Sequence, residues 1–167
     1  MAPLKAKGDL AELKVACDLV ERGYHVAIPF GEDCDFDLIA WKDRKAMLRV
    51  QIKHSRSNGV FISVRCCSHS LTNGKVRLTK RYTADTIDLL AVYDPTTSRC
   101  FYIPASELGA GRRQLILRLT PTRNNQRQGV RYAENYLTPE PRRAQTSMEP
   151  AGLEPATFRM QTERSPN

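Results

Sequence analysis

Two short apolar runs in the first third of the chain are each broken by residues that do not belong in a core. Phe36-Asp37-Leu38-Ile39-Ala40 carries a carboxylate, and Leu48-Arg49-Val50-Gln51-Ile52-Lys53 carries an amide and a lysine. Both runs have strand character, and Lys42-Asp-Arg-Lys45 between them suits a hairpin turn. A hairpin would bring Asp37 close to Gln51, fourteen positions later, and to Lys53. Residues two apart on a strand share a face, so Gln51 and Lys53 point the same way. A carboxylate, an amide and an ammonium converging on one sheet face is costly to bury, which constrains both the fold and the chemistry.

Metal-assisted phosphodiester hydrolysis is a chemistry that uses this set. The Asp37 carboxylate, the Gln51 amide oxygen and the Ile52 carbonyl are hard oxygen ligands suited to Mg2+, with Mn2+ as a substitute. Such a metal polarises the phosphate and lowers the pKa of a bound water. Lys53 can orient that water or stabilise the developing negative charge. Upstream, residues 9–22 read as a helix, with Asp9 as its cap and Gly23 as its end. Its period-3.6 apolar positions are Leu10, Leu13, Cys17 and Val20, with Asp18, Glu21, Lys14 and Arg22 on the polar side. Glu12 falls between Ala16 and Leu19, inside the apolar arc, and can reach the same metal directly or through water. The alternative is a Glu that snorkels or pairs with an Arg at the core edge.

Charge is segregated along the chain. Nine acids precede Arg44, and then Arg44 to Ala84 holds none, while ten basic residues fall in that stretch. A second acid-free stretch, Leu108 to Ala133, holds six arginines. With a net charge of +8, long one-sign segments favour a polyanion beside them over a merely solvated basic surface. Arg56, Arg65, Lys75, Arg77, Lys80 and Arg81 are candidates for holding DNA phosphates, which positions a duplex without specifying sequence. Arg123, Asn124, Asn125, Gln126 and Arg127 combine the guanidinium and amide groups that read base edges; the competing reading is an ordinary polar turn.

Further strands are expected at Tyr24–Pro29, Val60–Val64, Ile87–Tyr93 and Cys100–Ile103, with a second hairpin turn at Ser57-Asn-Gly59 and a short helix at Gln128–Tyr136. The basic segment between them reads as irregular. The result is a mixed α/β or α+β domain over residues 1–137, with the first helix packed on the sheet. From Thr138 onward apolar periodicity is lost and prolines accumulate, so 138–167 reads as a disordered tail. Gly152-Leu-Glu-Pro-Ala-Thr157 can be encoded by bases one change from the complement of a tRNA T-loop consensus, so the frame is expected to run antisense into a tRNA gene.

Five cysteines without a CxxC pair, no signal-peptide core and no membrane-length apolar run suggest a reduced, cytoplasmic, soluble protein without membrane association. Cys66-Cys67 with His69 fits no standard zinc spacing and lacks a fourth ligand. His54, alternating with Lys53, is expected on the opposite face, as a structural residue or a phosphate contact.

A helix Glu, then an Asp, then a (D/E/Q)-x-Lys tripeptide resembles the PD-(D/E)XK nucleases, and most closely their group I intron-associated, homing-type branch, in which Gln replaces the usual second acid. The likeness covers residues 8–137 through Gly8-Asp-Leu-Ala-Glu12, Phe36-Asp-Leu-Ile39, Val50-Gln-Ile-Lys53, Ile87-Asp-Leu-Leu-Ala-Val-Tyr93, Tyr102-Ile-Pro104 and Asn124-Asn-Gln-Arg127. The family's Pro-Tyr before the aspartate is Asp35-Phe36 here, so that Asp35 either repels Asp37 or acts as a second acid. A neutral Gln51 implies weaker metal affinity than a two-acid site.

The resemblance implies a restriction-endonuclease-like core with Glu12, Asp37, Gln51 and Lys53 as catalytic residues. It also implies Mg2+-dependent cutting of double-stranded DNA to 5′-phosphate and 3′-hydroxyl ends. Two strands to cut imply a homo-oligomer, a dimer or tetramer. The alternatives are a DNA-binding module that has lost cleavage, and a Holliday-junction or repair nuclease on the same core.

Overall fold

The first helix, α1 (Leu4–Glu21), begins earlier than the capping pattern predicts. Asp9 is an exposed residue of its second turn and not its cap. The C-terminal end is as expected. Gly23 has φ +80°, its N–H donates to the Val20 carbonyl at 2.9 Å, and Tyr24 N–H reaches back to Leu19 at 3.0 Å. The computed structural model describes residues 4–31, 34–43, 46–72, 75–122 and 128–140.

Helix α1 buries a different stripe from the one its hydrophobicity suggests. Ala11, Val15 and Leu19 face inward, while Leu10, Leu13, Cys17 and Val20 are exposed. Ala11, Val15 and Leu19 are spaced four apart and so form one stripe along the helix. Asp18, expected on the polar side, is half-buried: it accepts the Tyr102 hydroxyl at 2.5 Å and pairs with Arg22 at 2.7 Å.

Beneath the helix lies a five-stranded mixed sheet in the order β1-β2-β3-β7-β8. Its strands are β1 (His25–Ala27), β2 (Leu38–Trp41), β3 (Met47–His54), β7 (Leu89–Asp94) and β8 (Arg99–Pro104). All neighbours are antiparallel except β3 and β7, which are parallel, with Gln51 beside Leu90 and Lys53 beside Val92. Strand β7, inside the sheet between β3 and β8, is buried along its whole length. Its Leu89, Ala91 and Tyr93 pack toward α1, and its Leu90 and Val92 pack on the opposite side.

That opposite side is covered by a second sheet, β4 (Phe61–Arg65) antiparallel to β9 (Gln114–Arg118). Ile62, Val64, Leu115 and Leu117 complete the second core cluster. The Ser57–Gly59 turn therefore does not close a hairpin between β3 and β4, as expected; it carries the chain out of the central sheet. Buried Asp94 holds it there by accepting Ser57 N–H at 3.0 Å.

The basic segment read as irregular forms a third sheet of two strands, β5 (Cys67–Thr72) with β6 (Lys75–Arg81), followed later by β9. The expected helix at 128–136 is only a 3-10 turn over Ala133–Tyr136. Arg49 clamps the start of β7 to β3. Its side chain grips Asp88 through Nε at 3.0 Å, while its backbone N–H donates to the same carboxylate at 2.7 Å. Tyr24 donates to the Pro139 carbonyl at 3.3 Å. Residues 141–167, and with them most of the expected tail, lie outside the described residues. Among the described residues, no helix is long and apolar enough to cross a membrane.

Candidate active site

Asp37 sits one residue before β2, and its N–H donates to Val50 O at 2.9 Å, extending the β2–β3 ladder by one step. Since Leu38 pairs with Val50, the next position across from Asp37 is Gln51. The β-hairpin inferred from the sequence is thus what brings the two together. One oxygen of Asp37, Oδ2, accepts the Ile52 N–H at 2.6 Å and the Gln51 side-chain amide. The same Gln51 nitrogen lies 3.4 Å from the Ile52 carbonyl. Carboxylate, amide nitrogen and carbonyl therefore converge at one point, with Gln51 only 7% exposed.

Burial pushes the Asp37 carboxyl above its ordinary range, against the opposing pull of the Ile52 N–H, the Lys53 charge and the Gln51 amide. Glu12 is also raised, first by burial and then by the Asp37 and Asp9 charges, with Lys53 opposing. The expectation of an inward Glu12 needs correction: it is an exposed residue at the flank of the buried stripe, next to Ala11. It nevertheless stands close enough to feel both Asp37 and Lys53.

Lys53 projects from β3 with its Nζ 5.1 Å from the centre of the Tyr82 ring, a cation–π arrangement that the sequence reading missed. The available signal was an aromatic residue directly after Lys80-Arg81. Tyr82 is buried and belongs to the second core cluster. His54, expected on the face away from Lys53, lines the same groove as Lys53 and meets Tyr93 edge-on at 6.1 Å between ring centres.

The donor set suits a hard divalent cation. Asp37 is a carboxylate raised by burial, which a cation would relieve, and Gln51 and Ile52 add neutral oxygens. Gln51 presents its nitrogen to Asp37, so offering its oxygen takes a half-turn of the amide. Among the described residues, no group of three or more His, Cys, Asp or Glu is placed to hold a metal ion. Cys66 is buried, and burial lifts its thiol to about 11.

A groove runs from Lys53 past Arg65, Arg81 and Arg113. Of the residues expected to hold phosphates, Arg65 and Arg81 line it. Arg56 is exposed outside its lining, and Lys80 is tied to Asp35 at 3.1 Å. Asp35 thereby turns to a lysine. The side chains of Lys75 and Arg77, and all of Arg123, Asn124, Asn125, Gln126 and Arg127, lie outside the described residues. Lys7, Arg113 and Gln114 are groove residues that sequence reasoning did not single out. Arg49 leaves the basic surplus by pairing with Asp88, and Arg131 by pairing with Glu107.

A bacterial homing endonuclease, I-Ssp6803I, has a similar fold, with a TM-score of 0.62 at 20% identity over 81% of this chain and 88% of that one. The Holliday junction resolvase Hjc of Archaeoglobus fulgidus matches with a TM-score of 0.42 at 12% identity, over 67% of this chain and 84% of that one. No curated protein sequence matches the chain. The model of the PD-(D/E)XK endonuclease family matches residues 3–139, which takes in the whole fold from α1 through Pro139, and the chain belongs to that family.

Proposed function

We propose that this protein is a Mg2+-dependent endonuclease of the homing type that cuts both strands of duplex DNA at Asp37, Gln51 and Lys53. The observation that carries the reading is the meeting of the Asp37 carboxylate, the Gln51 amide and the Ile52 carbonyl, with Lys53 on the same strand opening into a basic groove. Asp37, Gln51, Ile52 and, at one remove, Glu12 would hold the cation. When bound, Mg2+ (or Mn2+) supplies charge to polarise the phosphate and acidify a water.

Arg65, Arg81 and Arg113 hold the strand by its phosphates. Lys53, kept extended by the Tyr82 ring, orients the attacking water and counters the charge that gathers on the phosphoryl oxygens. Water adds to phosphorus, the bond from phosphorus to the 3′ oxygen breaks, and that oxygen leaves with a proton. The ends are a 5′-phosphate and a 3′-hydroxyl. Cutting two strands calls for a second copy of the chain, and exposed Leu10, Leu13 and Val20 on the outer face of α1 are apolar surface suited to it.

The test is cleavage of plasmid DNA with Mg2+ by the native protein, Asp37→Ala and Lys53→Ala. The native protein should linearise the plasmid, and chelation or either substitution should abolish the cut. Equal activity in all three would overturn the assignment. Cutting of branched DNA in preference to a sequence in linear duplex would favour a resolvase over a homing enzyme.

A further inference from the structure

Apart from Arg81 at its base, the β5–β6 ribbon is given no task by this chemistry. Among the described residues its strands pair with each other alone, as a sheet of their own. Backbone bonds hold it at its base, where Tyr82 N–H donates to Cys66 O at 3.4 Å and Cys66 N–H to Arg113 O at 2.9 Å. Cys67 stands opposite Arg81, and His69 opposite Thr79. Alternate residues share a face, so His69, Thr79 and Arg81 stand together, and all three line the groove that holds Lys53.

The other face carries Lys80, whose ion pair with Asp35 ties the ribbon to the loop two residues before Asp37. Across the ribbon, His69 Nδ1 and Thr79 Oγ1 are 3.0 Å apart, and Cys67 Sγ lies 3.8 Å from His69 Nε2, so contacts on both sides fix the imidazole, while His69 and Thr79 stay exposed. The aliphatic stem of Arg81 lies where a Cβ on Gly111 would come within 2.9 Å of it, so glycine is needed there for the arginine to lie down.

We infer that the β5–β6 ribbon enters the major groove of duplex DNA and that His69 and Thr79 read base edges there, which makes the ribbon the element that selects sequence. The inference rests on the nuclease reading above and names where its specificity lies. A major groove about 12 Å wide admits a two-stranded ribbon. Cys67, Ser68, His69, Thr79 and Arg81 of the ribbon line the groove, and His69, Thr79 and Arg81 are exposed there. Base reading needs polar groups in fixed orientation, and the His69–Thr79 contact supplies that. Arg65, Arg81 and Arg113 at the ribbon's base hold phosphates and so set its register on the duplex.

The experiment is selection of bound sequences from a random linear duplex library by the full chain carrying Asp37→Ala, compared with the same protein carrying His69→Ala or Thr79→Val in addition. The parent should enrich a motif. His69→Ala should erase preference at one or two adjacent positions, discrimination there falling about tenfold. Its salt dependence on unrelated duplex should not change. Thr79→Val, which removes the hydroxyl that steadies the ring, should weaken the same positions. Uniform loss of affinity across all sequences with a shallower salt dependence, an intact motif in both variants, or no enriched motif would each overturn the inference. A native protein that fails to cut plasmid while Asp37→Ala still enriches a motif lost in His69→Ala would overturn the cleavage reading alone and support the ribbon.

Discussion

Lys53 Nζ stands 5.1 Å from the centre of the Tyr82 ring, so the mobile end of the proposed catalytic lysine rests on a buried aromatic face. Tyr82→Phe keeps the ring and should leave single-turnover cleavage within about twofold of the native rate. Tyr82→Leu removes the face; at about 0.5–2 kcal/mol for a cation–π contact, the rate should fall about 2- to 30-fold, with DNA affinity unchanged. Cleavage by Tyr82→Leu at the native rate would show that the ring does not position Lys53.

Asp37 makes stability depend on pH in an uncommon direction. Burial raises its carboxyl above the ordinary value of 3.8, so the folded chain holds this proton more tightly than the unfolded chain does. The favourable contribution is complete below the ordinary value and is lost as pH rises through the folded one. Asp37→Asn should therefore raise the metal-free melting temperature at neutral pH, and the gain should shrink as pH falls toward 4. Asp88 and Asp94 are lowered, by the Arg49 side chain and backbone N–H and by the Ser57 N–H respectively, against opposing burial, so their contribution is lost in acid. The difference between variant and native protein isolates Asp37 from them. Added Mg2+ should stabilise the native protein and leave Asp37→Asn unmoved. A variant less stable than native at pH 7 would refute the burial argument.

What the sequence made legible follows from which residues break a pattern. Asp37, Gln51 and Lys53 interrupt apolar runs, and the hairpin between them sets their register, so the centre of the candidate site could be read directly. The helix face could not. Hydrophobicity points to Leu10, Leu13 and Val20, yet the helix packs through Ala11, Val15 and Leu19, an equally regular stripe that the larger residues outweigh in the sequence. The β5–β6 ribbon has no apolar period to betray it. In β9, half-exposed Ile116 between buried Leu115 and Leu117 hides the alternation. Tyr82 and Arg113 reach the site only through strand pairings distant in sequence.

Asp88 is a test of the frame behind the site. Its carboxylate accepts the Arg49 N–H at 2.7 Å and both Nε and a terminal nitrogen of the guanidinium, at 3.0 and 3.1 Å. Asp88→Ala leaves a strand N–H and a guanidinium short of partners. Partial exposure softens the loss, so a cost of about 1–2 kcal/mol is expected. Denaturant unfolding should show a lower midpoint with an unchanged slope, and cleavage per folded molecule should stay native at low temperature. A cleavage defect without a stability defect would mean that Asp88 acts on the site itself.

Gln51→Glu asks whether residue 51 is a metal ligand. A second carboxylate across from Asp37 places like charges in a buried pocket and raises both further when no cation is present. The metal-free variant should melt below the native protein at neutral pH and recover as the solution is acidified. With Mg2+ the sign reverses, because an added ligand charge strengthens cation binding, and the half-saturating concentration in cleavage and in thermal stabilisation should fall about tenfold. Gln51→Leu provides the opposite change, removing the amide oxygen and raising the Mg2+ requirement. An unaltered requirement in both variants would place residue 51 outside the metal's coordination and reduce its role to holding Asp37 against β3.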